Sequence, residues 1–207
     1  VTSPSSSASV PSWLSGSDSA APWKPVLLRA AIALVFGAVT VFWGAPSVQV
    51  LAWALGLYLL ATAFAVLRIF PVLRIFPVQR GGSAPLGIAA VVALGGVGAL
   101  LTQSDAGATA SAALALLVLG VWEVVQGLRQ RGRQVLARDW LISGVVGIGT
   151  AALLPFFTNL GAHALLGVAG GGAIITGVLW TLSGLSLRHD AGGHGDRGHG
   201  APAEDVN

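Results

Sequence analysis

Three side chains in this sequence could do chemistry in an apolar setting: Glu123, Asp105 and His163. Glu123 stands in the run Leu119-Gly120-Val121-Trp122-Glu123-Val124-Val125, where every neighbour is small or apolar. A carboxyl there could take up and release a proton, and an ionisable residue inside a span is a functional hypothesis by default. It also lies only about five residues from the end of its run, so it could snorkel to the surface or pair with Arg129 or a neighbouring loop arginine. Asp105 and His163 fall in the turns at the opposite ends of the apolar runs. Histidine changes charge between pH 5 and 8, so this pair could sense acid outside the membrane; the plainer reading is a solvated or capping role. His189, His194 and His199 recur in a glycine-rich tract, but such a tract holds no preorganised metal geometry, and no metal site is expected.

The rest of the inventory excludes more than it offers. With no cysteine there are no thiolate nucleophiles, zinc ribbons or iron–sulfur clusters. No nucleophile elbow, no pair of intramembrane aspartates and no phosphate-binding glycine loop occurs, and the spans lack axial haem ligands. The expectation is a chain that is not an enzyme and carries no cofactor.

The elements that must position these groups are membrane helices. Hydrophobic residues make up 54% of the 207 and charged ones 9%, too few charges to cover a soluble globule. No charge falls between Arg29 and Arg68, or between Asp139 and Arg188. Each gap holds two spans of about 20 residues. The spacing predicts six helices, near 26–43, 48–68, 85–102, 108–128, 140–157 and 161–187. The turns lie at Gly44-Ala45-Pro46-Ser47, Gln103-Ser104-Asp105-Ala106-Gly107 and Thr158-Asn159-Leu160-Gly161. With six spans, all 11 basic residues fall on one side, which the positive-inside rule makes cytoplasmic. Both termini then lie in the cytoplasm. The formal charge of +3 answers to topology and anionic lipid, with no nucleic acid required. Arg74, Arg80, Arg129, Arg131 and Arg133 are the expected lipid head-group contacts. Trp23, Trp43 and Trp140 are placed as interface indoles.

Residues 1–22 read as a disordered Ser/Pro/Ala-rich cytoplasmic tail without the basic start of a signal peptide, 23–188 as the six-helix domain, and 189–207 as a disordered His/Gly-rich cytoplasmic tail. Thr62, Gly120 and Gly177 fall at equivalent places in the second, fourth and sixth helices, and Arg29, Gly87 and Gly144 open the first, third and fifth. A period of about 57 residues suggests three copies of one helical hairpin. Val66-Leu67-Arg68-Ile69-Phe70-Pro71 recurs verbatim at 72–77 and is placed in an inner loop. The pairs Gly95 with Ala99, Gly147 with Ala151 and Gly167 with Gly171 are small-xxx-small faces, read as helix packing within the bundle or between subunits. A helix broken at Gly170-Gly171-Gly172 around a substrate is the alternative.

The chain resembles the HdeD family of small bacterial membrane proteins. The likeness rests on Leu28-Arg29-Ala30-Ala31-Ile32-Ala33-Leu34-Val35-Phe36-Gly37 with Pro46 after it, and on Leu55-Gly56-Leu57-Tyr58-Leu59-Leu60-Ala61-Thr62-Ala63-Phe64. It continues in Gly120-Val121-Trp122-Glu123-Val124-Val125 followed by Arg129, and in Asp139-Trp140-Leu141-Ile142-Ser143-Gly144. It covers 24–188 and departs at the duplicated hexapeptide, the Gln103–Gly107 turn and the His-rich tail. The resemblance implies an all-α polytopic inner-membrane protein of repeated two-helix units, with a non-enzymatic role in acid or envelope stress. A small transporter or channel, proton-coupled through Glu123, is the alternative. The expected partners are membrane lipids, with a second copy of the chain or another membrane protein.

Overall fold

The computed structural model describes residues 23–73, 84–132 and 136–196. They form α1 (Trp23–Phe42), α2 (Val48–Leu73), α3 (Ala84–Thr102), α4 (Asp105–Arg129), α5 (Ala137–Phe157), a 3-10 turn (Thr158–Leu160) and α6 (Gly161–Asp196), with no strand among the described residues. Five continuous helical stretches are long and apolar enough to cross a membrane. Four lie in α1 to α4, and the fifth, Ala137–His189, runs through the 3-10 turn.

The stops are local. Gln103 takes a positive φ of 41°, and Ser104 caps α4 by accepting the Gly107 N–H at 3.1 Å. Asp105 is therefore in the first turn of α4 rather than in a loop, where a carboxylate suits the positive end of the helix dipole. Gly161, at φ 80°, turns the chain into α6 in a conformation that side chains with a Cβ resist.

The helices are apolar on every side, so hydrophobicity alone does not choose which face turns inward. Size does. The interior is dense in alanine, including Ala30, Ala33, Ala63, Ala89, Ala112 and Ala115, while Val35, Leu94, Leu101, Phe156 and Leu182 stand outward. Small residues inside let backbones approach, which drives association where the solvent is itself apolar.

Contacts between helices follow a ring. The fullest are α4 with α5, α1 with α6 and α2 with α3; α1 with α2, α3 with α4 and α5 with α6 are leaner. The even-numbered helices also touch one another, whereas no two odd-numbered helices do among the described residues. α2, α4 and α6 thus form an inner triangle, and α1, α3 and α5 fill its outer grooves.

Several boundaries differ from the charge-gap reading. α2 continues to Leu73, which puts the backbone of the first hexapeptide copy on helix instead of in a loop, and α6 continues past 188 to Asp196. α6 is unbroken at Gly170-Gly171-Gly172. Two of those glycines are packing positions: a Cβ on Gly170 would overlap Thr40, and one on Gly172 would overlap Thr150. Trp140, in the first turn of α5, is buried against its neighbours, while Trp43 is exposed. The 1–22 tail, Arg74, Arg80, Arg133 and His199 lie outside the described residues, as does the side chain of His194.

Candidate functional site

α4 presents a packed stripe of Ala108, Ala112, Ala115, Leu119 and Gly120, and Glu123 continues it one turn further. The stripe of α1 runs Val26, Ala30, Ala33, Phe36 and Thr40, and Arg29 sits on it. Both charges consequently point into the bundle. Glu123 is 2% exposed and Arg29 11%, and the guanidinium donates from Nη2 to Glu123 Oε1 in a buried ion pair. Among the described residues Glu123 is thus paired with Arg29 and not with Arg129, which is exposed. α1 and α4 share no close backbone approach among the described residues, so the two long side chains bridge helices whose backbones stay apart.

Aromatic rings close around the pair. The Arg29 guanidinium lies 4.7 Å from the centre of the Trp180 ring, on α6. At that distance the ring quadrupole attracts the cation. Trp180 is 1% exposed, and its indole N–H donates to Ser143 Oγ on α5 at 3.1 Å. Trp140 and Trp122 pack beside it with ring centres 5.6 Å apart. Nearby, Ser183 Oγ donates to Asp139 Oδ2 at 2.6 Å, a second polar link between α6 and α5. On α2, Tyr58 feels the charge of both Arg29 and Glu123, with the Thr62 hydroxyl against its own. Charge buried this deeply is tolerated because it is paired and its neighbours are hydrogen-bonded.

Beside this cluster, α1 and α2 enclose a wholly apolar groove of about 420 Å³, lined by Val35, Phe36, Val39, Leu57 and Tyr58 among others. Phe36 stacks on Tyr58 at its base, ring centres 4.3 Å apart.

The other sequence candidates do not join the cluster. His163 is exposed and makes no hydrogen bond or ion pair among the described residues. Asp105 keeps one carboxylate oxygen buried and unpartnered, as does the Thr109 hydroxyl one turn below. No ion pair links Asp105 to His163. Arg129 and Arg131 are exposed, as head-group contacts would be. Gly95 is a packing position, since a Cβ there would come within 2.6 Å of Ala115 Cβ; Gly147 is in ordinary contact with Gly120 of α4. Gly167 and Gly171 face open space, so their face packs against nothing within the described bundle.

Arg29, Trp180, Ser143 and Tyr58 are the members that sequence reasoning missed. The available signal was the position of Arg29 in register with Ala33 and Phe36 on one helical stripe. No protein-family model, curated protein or solved structure matches the chain.

Proposed function

We propose that the chain is a six-span inner-membrane protein of the HdeD type, built from three helical hairpins with both termini in the cytoplasm, and that it serves in acid or envelope stress without being an enzyme. The observation that carries the proposal is the Arg29–Glu123 pair, a buried charge bridge between two helices whose backbones stay apart. The bridge needs the charge of both partners. Removing the carboxylate by substitution would leave a guanidinium without its counter-charge inside the bundle and weaken the link between α1 and α4.

Close approaches between helices support the three-hairpin reading. Gly120 meets Ile148 and Gly127 meets Leu141 where α4 crosses α5; Gly177 meets Leu34 and Gly184 meets Leu27 where α6 crosses α1. The step from Gly120 to Gly177 equals that from Gly127 to Gly184, and the step from Leu34 to Ile148 equals that from Leu27 to Leu141. In this register Glu123 corresponds to Trp180 and Arg29 to Ser143. A repeated scaffold would thus carry its polar residues at matching stations.

The test is survival and internal pH at acid pH in a strain lacking the chain, complemented with wild type, Glu123→Gln, His163→Ala, or the exchange of Arg29→Glu with Glu123→Arg. Membrane levels of each variant are checked by immunoblot. Loss on deletion, rescue by wild type and His163→Ala, and failure of Glu123→Gln are expected. Partial recovery with the exchanged pair would trace the effect to the bridge. No acid phenotype on deletion would overturn the stress assignment. The rival, a proton-coupled transporter, predicts flux in proteoliposomes that Glu123→Gln abolishes. It draws on the same buried carboxylate.

A further inference from the structure

A second polar feature lies where four helices meet, on the side of Tyr58 away from the charged pair's helix α1. Tyr58 of α2, Leu116 of α4, Gly147 and Thr150 of α5, and Gly172 and Thr176 of α6 are among the residues that line a partly open cavity of about 20 Å³. A cavity needs roughly 10–15 Å³ of this kind of space to hold one water, and the water needs two to four polar partners. The lining residues supply them. Thr150 Oγ1 donates to the Val146 carbonyl at 2.9 Å, and Thr176 Oγ1 donates to the Gly172 carbonyl at 3.0 Å. Each hydroxyl proton is therefore committed to the backbone, and each oxygen keeps lone pairs to accept with. Tyr58 brings a phenol, a donor as well as an acceptor. An apolar cavity of this size would stay dry; this one has hydroxyl-bearing side chains from three helices around it.

We infer that the cavity is a binding site for a single water molecule, which donates to Thr150 Oγ1 and Thr176 Oγ1 and accepts from the Tyr58 hydroxyl. The site is a designed space rather than a packing fault. Glycine at 172 keeps it open, because a Cβ there would overlap the Thr150 hydroxyl. Tyr58 is also the residue shared by this cavity and the α1–α2 groove, so its ring separates apolar surroundings on one side from a hydrated point on the other. Since Tyr58 feels the charges of Arg29 and Glu123, the water extends the buried polar network from α1, α2 and α4 to α5 and α6. The inference goes beyond the stress reading and does not depend on it.

The chain has one tyrosine, so its chemistry can be followed without ambiguity. Radiolytic hydroxyl-radical labelling of the full chain in lipid nanodiscs, read by mass spectrometry, makes radicals from water wherever water resides. Tyr58 is expected to gain oxygen several-fold faster than its stacking neighbour Phe36 after each rate is divided by that of the free amino acid. Thr150→Val with Thr176→Val keeps the shape and removes both acceptors, and should suppress Tyr58 labelling several-fold while exposed Trp53 labels as before. Absence of labelling at Tyr58 in the wild type overturns the site, and so does equal labelling in the double variant. The second measurement needs no variant: a high-resolution structure of the unaltered chain should show a solvent peak within hydrogen-bond distance of Thr150 Oγ1 and Thr176 Oγ1. An empty cavity there overturns the inference whatever the labelling gives. Neither readout involves survival in acid, so failure of the water site and failure of the stress assignment are separate results.

Discussion

Arg29 and Glu123 form a buried ion pair in the bundle interior, and the pair fails differently when one partner or both are replaced. Glu123→Gln strands Arg29 against Trp180 with a full charge and no counter-ion. Breaking a buried pair from one side costs on the order of 3–5 kcal/mol. Replacing both, by Arg29→Met with Glu123→Leu, removes two charges that were costly to bury and should leave stability near or above wild type. Thermal unfolding in one detergent, with wild type and both variants in parallel, checks this: the single variant falls well below the double. The glutamate was legible from sequence because it is a lone carboxylate in an apolar run, although snorkelling or pairing with Arg129 would have explained it as well. Its partner was not, because Arg29 lies close enough to Lys24 and the start of α1 to be counted among the flanking charges that set topology. What separates the two roles is a helical phase, Arg29 in line with Ala33 and Phe36, and that phase acquires meaning only once the inward face is known.

At the scale of elements, glycine decides how near two helices come. On Gly120 a Cβ would stand 2.8 Å from the Gly144 carbonyl oxygen and 2.9 Å from the Ile148 nitrogen, backbone atoms that cannot swing aside. Gly120→Ala should destabilise the bundle by about 1–3 kcal/mol, the usual cost of forcing volume into a filled space. Gly167→Ala, whose Cβ would meet nothing, should instead add about 0.5–1 kcal/mol by restraining the backbone. Unfolding of the two variants, measured side by side, should move in opposite directions. The all-helical, strongly apolar character was readable from the long charge-free gaps, since each is long enough for membrane-spanning helices. Which glycines touch a neighbour was not. Gly95 packs as its spacing suggested, yet Gly167 and Gly171 carry the same spacing on an outward face, and the neighbouring Gly170 and Gly172 make the contacts. A run of glycines reads identically from every side.

For the molecule as a whole, alternating turns should lie on opposite sides of the membrane. Single cysteines at Ser47, Ser104 and Asn159, all exposed in the structure, should react with an impermeant thiol reagent in intact cells, and one at Gly132 should not. The native chain has no cysteine to confuse the result. Labelling at Gly132 would reverse the orientation. The ring of helices has a further consequence, for synthesis. α1 precedes the other five described helices in the chain, but its fullest contact is with α6, which follows them all. Until α6 is made, α1 has its lean interface with α2 and the Arg29–Glu123 bridge to α4, its Gly37 face lacks Ile174, and Arg29 has no Trp180 to lie against. The packing of α1 is thus completed only when α6 emerges, and α6 acts as the latch that closes the ring.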